Sequence, residues 1–89
     1  SLPIVQEVEA MAREALRDLG FVEPEFAVVI ADNDDVNASI YKFDKVVVFH
    51  LGLLQFMADN NLLNREAIKF VVGHELGHNL GLFHSHSLD

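Results

Sequence analysis

The 89-residue sequence predicts an α+β fold: an N-terminal helix, a small twisted sheet of about three strands, a short helix and a longer final helix. Three observations carry this. Apolar residues recur every three to four positions near both ends of the chain, the period of a helix with one buried face. Between those ends lie apolar, β-branched runs separated by polar clusters, the mark of strands and turns. No linker, repeat or low-complexity stretch divides the chain, so residues 1–89 are expected to form one domain.

Ser1 to Leu19 reads as an amphipathic helix. Pro3 suits its first turn, while Ile4, Val8, Met11, Ala12, Ala15 and Leu19 form the apolar stripe, and Gly20 follows as a stop. Its charged residues, Glu7, Glu9, Arg13, Glu14, Arg17 and Asp18, are expected mostly on the outer side. Phe26 to Ala31, after Pro24, reads as a buried strand. Asp32-Asn33-Asp34-Asp35 then breaks it. A calcium loop would need a ligand where Val36 stands and a glycine that is missing, so the cluster reads as a solvated turn.

Asn37–Tyr41 and Asp44–His50 follow as two strands joined by a tight turn around Lys42 and Phe43. Leu51–Asp59 carries leucines, Phe56 and Met57 at helical spacing, and Asn60-Asn61 ends it. Asn64 can cap the last helix, with Glu66 favourable in its first turn. Ala67, Ile68, Val71, Val72, Leu76 and Leu80 then carry the apolar face through to Gly81.

Composition excludes several functions. A net charge of −8 would repel nucleic-acid phosphates. No run reaches the roughly 20 apolar residues of a membrane span; the longest, Val46 to Met57, is interrupted by His50, Gly52 and Gln55. No secretory signal is visible at the N-terminus, and a soluble, cytoplasmic chain is the expectation. With no cysteine, any metal site must use histidine and carboxylate.

Four of the five histidines lie in the last sixteen residues. In His74-Glu75-Leu76-Gly77-His78, the two histidines are four apart and project from one side of a helix, where both imidazoles can grip one ion. Glu75 falls between them, beside the place where a metal-bound water would sit. Gly81 can take a left-handed conformation and turn the chain back, which brings His84 to the position of a third ligand. Three imidazoles with a free fourth position describe one catalytic Zn²⁺. Such an ion lowers the pKa of its water to about 7, and Glu75 is then the general base that passes the proton to the leaving amine. The reaction implied is hydrolysis of an amide, above all a peptide bond. A histidine-rich surface helix is the plainer alternative.

Other residues are secondary candidates. His86 reads as an alternative ligand or a solvated histidine, and His50 as a group near the cleft or a satisfied histidine at a strand end. Tyr41 is a candidate donor to a tetrahedral intermediate. The strands 37–41 and 44–50 are the candidate edge for pairing with an extended peptide, where Asn37 or Ser39 would orient it.

The motif resembles that of the zincin metallopeptidases. Asn37-Ala38-Ser39, the run from Val46 to Leu54 and Phe70-Val71-Val72-Gly73 before the motif resemble HtpX-like gluzincins and their minimal relatives, the minigluzincins, over roughly residues 37–80. This resemblance implies a zincin-like minimal domain with a substrate-binding sheet edge and an active-site helix. It also implies a glutamate as third ligand on a later helix, yet no glutamate follows Glu75. Gly81 and His84 instead match the metzincin pattern, whose methionine turn has no counterpart here, since Met11 and Met57 both lie upstream. Two functions therefore stand side by side. One is a zinc-dependent endopeptidase acting on peptides or proteins. The other is a latent or inactive zinc-binding domain whose site is completed or blocked by its tail or by self-association.

Overall fold

The computed structural model describes residues 3–21 and 26–79, with the backbone alone for 78 and 79. The elements run α1 (Pro3–Asp18), β1 (Ala27–Ala31), β2 (Ala38–Tyr41), β3 (Val46–His50), α2 (Leu51–Asp59) and α3 (Arg65–Asn79). The expected order and type of every element stand, so the fold is α+β.

Local chemistry ends the first two helices in the same way. After α1, Phe21 N donates to Leu16 O at 2.8 Å and Gly20 N to Arg17 O at 3.0 Å, with Gly20 at φ +98°. After α2, Leu62 N donates to Met57 O at 2.7 Å and Asn61 N to Ala58 O at 3.2 Å, with Asn61 at φ 58°. Both are Schellman turns, which need a left-handed residue that glycine and asparagine supply most cheaply. At its start, α3 is capped as the sequence suggests: Asn64 Oδ1 accepts from Ala67 N at 2.9 Å.

Strand order is β1-β3-β2, with β1 parallel and β2 antiparallel to β3. The register pairs Ile40 with Val47 and Ala38 with Phe49, and sets Val28 and Ile30 opposite the same two β3 residues. One sheet face is thereby apolar, and Ala38, Ile40, Val47 and Phe49 on it are buried. Two corrections follow. The expected buried strand β1 lies at an edge and none of its residues is fully buried; Val29, on the face away from the core, is 43 % exposed. Its apolar run is continuous because both faces are apolar, although only one is covered. Second, β3 is central. Of the strand pair considered as a peptide-binding edge, only β2 is an edge.

Phe49, Leu54, Ile68, Val8 and Val72 are the largest fully buried side chains, and they come from β3 and all three helices. In α1, Leu16 takes the buried position expected of Leu19, because the helix ends at Asp18 and Leu19 swings partly outward. Arg13 is not purely an outer residue either: it donates to the carbonyl of Phe26 at 2.9 Å, which ties α1 to the start of β1. Across the α1–α3 contact, Arg65 makes a two-pronged bond to Glu14 at 2.8 and 2.9 Å, and Lys69 lies 3.6 Å from Asp18.

Candidate functional site

Helix α3 is continuous from Arg65 to Asn79, so its backbone sets positions 74 and 78 one turn apart on one side. The opposite side is anchored: Ile68, Val72 and Leu76 are buried in the core. A helix held in this way is a rigid base for side chains that must share a ligand. His74 is half-buried. Its imidazole stacks on the ring of Phe70, one turn earlier, with centroids 5.9 Å apart and planes inclined by 29°. Glu75 is 9 % exposed, a buried acid on the helix side turned toward the interior. Carboxylates are seldom buried without a specific use, because leaving water costs them heavily.

Helix α3 also packs against β2, the antiparallel edge of the sheet. Asn37 directly precedes β2; its carbonyl accepts from His50 N at 3.1 Å, and its Oδ1 accepts from Ala38 N at 2.9 Å. Ser39 lies mid-strand opposite Val48, and Tyr41 ends the strand half-exposed. His50 ends β3 on the other side of the ladder, with its Nδ1 2.9 Å from Asn33 Oδ1, so its ring is engaged with the loop after β1. Thus His74 and Glu75 share the helix that packs on β2, with His74 bordering a depression lined by Leu19, Phe70 and Gly73, while His50 is turned to a structural contact. The side chain of His78 and all of residues 80–89, among them Gly81, His84 and His86, lie outside the described residues. Among the described residues, no three His, Asp or Glu side chains form a group able to hold a metal.

Two features of this region escape the sequence reading. Phe70 is absent from the expected apolar face of α3, yet its ring borders His74; its i, i+4 spacing to that histidine is the signal that would have found it. Gly52 permits a backbone contact with the 33–35 loop that no local pattern announces.

Compared with protein-family models, residues 5–88 match the one for peptidase family M48. The chain belongs to peptidase family M48. Neither the curated proteins nor the solved structures contain a match. M48 membership implies metal-dependent proteolysis in general, and M48 peptidases are generally zinc-dependent. The residues of α3 suit that metal: His74 and, one turn on, His78 are nitrogen donors, and the chain has no cysteine to compete. No helix among the described residues is long and apolar enough to cross a membrane.

Proposed function

We propose that this M48 member is a zinc-dependent endopeptidase domain formed by residues 1–89, with a scaffold of the HtpX-like, minigluzincin kind. The observation that carries the proposal is the buried Glu75 beside half-buried His74 on a single helix anchored in the core. His74 and His78 hold the metal, and His84, reached through Gly81, is the third ligand. When bound, zinc supplies a Lewis acid that acidifies water and polarises a carbonyl oxygen. Glu75 takes a proton from the attacking water as the new C–O bond forms. It then delivers that proton to the amine nitrogen as the C–N bond breaks, so the two products leave with water's atoms divided between them. Edge strand β2 supports an extended peptide through backbone pairing, with Asn37 and Ser39 at its entry and middle.

Incubation of the zinc-loaded chain with an unfolded protein, beside Glu75→Ala, tests this reading. Cleavage by the parent chain that vanishes in the variant, with zinc retained, supports it. Equal cleavage by both would point to a contaminant and end the assignment. Stoichiometric zinc without cleavage by the parent would select the latent zinc-binding domain instead. Zinc content of His84→Ala and His86→Ala identifies the third ligand: the former loses the metal and the latter keeps it.

A further inference from the structure

Phe70 is 67 % exposed, so core packing does not account for a phenyl ring at this position. Its principal aromatic neighbour is His74, stacked one turn further along α3 at 5.9 Å. The ring stands between two shallow apolar depressions, one bordered by Leu19 and Gly73, the other by Phe56 and Leu62. Beneath it, the backbone is fixed by buried Ile68 and Val72. Torsion about the Cβ–Cγ bond of a histidine is broad and poorly fixed by its own rotamer preference. An aromatic face held against the imidazole narrows that torsion.

We propose that Phe70 is a positioning residue for His74, holding its imidazole in the orientation that ligates zinc. This rests on the reading of His74 as a zinc ligand. A ligand already confined loses less freedom on binding the ion, so the ring controls metal affinity. Because the ring is largely exposed, its removal leaves the fold nearly as stable as before.

Zinc affinity, measured by competition with a chelator in Phe70→Ala, Phe70→Leu and Phe70→Tyr, tests the proposal. Ala and Leu are expected to bind zinc about two- to tenfold more weakly, the range a single aromatic pair supports, while Tyr restores the parent value. Metal-free melting temperatures should stay within about 2 °C of the parent. In the metal-free protein, the imidazole proton resonances of His74, assigned with His74→Gln, should shift in Phe70→Leu as the ring current disappears. Parent-like zinc affinity in Phe70→Ala would overturn the proposal, as would equal losses in Leu and Tyr. Full zinc binding by His74→Ala would overturn the ligand assignment itself, an outcome distinct from any seen with the Phe70 variants.

Discussion

Gly52 lies so close to Asp34 that a Cβ added to it would stand 2.1 Å from the Asp34 carbonyl oxygen. The Asp35 carbonyl would be 2.5 Å away, and Gly52 N donates to Asn33 O at 2.9 Å. The loop after β1 therefore crosses the first turn of α2 with backbone against backbone. Neither side can yield as a flexible side chain would. Gly52→Ala is expected to cost about 2–4 kcal/mol in urea unfolding, at the severe end of single substitutions. A loss under about 1 kcal/mol would show that the crossing relaxes easily.

Gly20 makes the opposite case. Nothing lies within 4 Å of a Cβ placed there, but its φ of +98° is unfavourable for any residue with a side chain. Gly20→Ala should cost about 1 kcal/mol through backbone strain alone. The same denaturation experiment would rank it well below Gly52→Ala.

Sheet position predicts a contrast between two valines. Val29 on β1 is 43 % exposed and Val47 on β3 is 2 % exposed. Val29→Thr should change stability by no more than about 0.5 kcal/mol, whereas Val47→Thr puts a hydroxyl in the core at a cost of about 1–3 kcal/mol. Similar losses at both sites would return β1 to the buried strand that its sequence suggests.

The ion pairs joining α1 to α3 are expected to matter little. Arg65 has a side chain 69 % exposed and its partner Glu14 one of 37 %. Even with two-pronged geometry, Arg65→Ala should cost no more than about 1 kcal/mol, and less in high salt. Melting curves at low and high ionic strength would check both statements.

At the proposed catalytic centre, Glu75→Gln keeps the shape of the side chain but removes its basicity. Peptidase turnover should fall by about 10²–10⁴-fold with zinc content unchanged. A variant that retained most of the parent rate would exclude Glu75 as general base.

Helix boundaries were legible because their signals are local. Asn64 caps α3 through its own side chain, and Asn60-Asn61 closes α2 within two residues of its last turn. That positions 74 and 78 lie one turn apart on α3 was legible for the same reason, since a spacing of four has one meaning on an uninterrupted helix. Strand rank was not. The apolar runs 26–31 and 44–50 look alike, yet one forms an edge and the other the centre of the sheet. Which strand lies between two others depends on pairing between distant segments, and hydrophobicity along one segment does not encode it.

By itself, the sequence determined the α+β order of elements and the helix that carries His74, Glu75 and His78. Only the tertiary structure decided that β2 is the edge beside α3, that Glu75 is buried, that Phe70 stays exposed against His74, and that Gly52 admits the loop at Asp34. The physical reason is range. Helical spacing and caps act within a turn or two, whereas burial and close approach are properties of surfaces that the chain brings together only when it has folded.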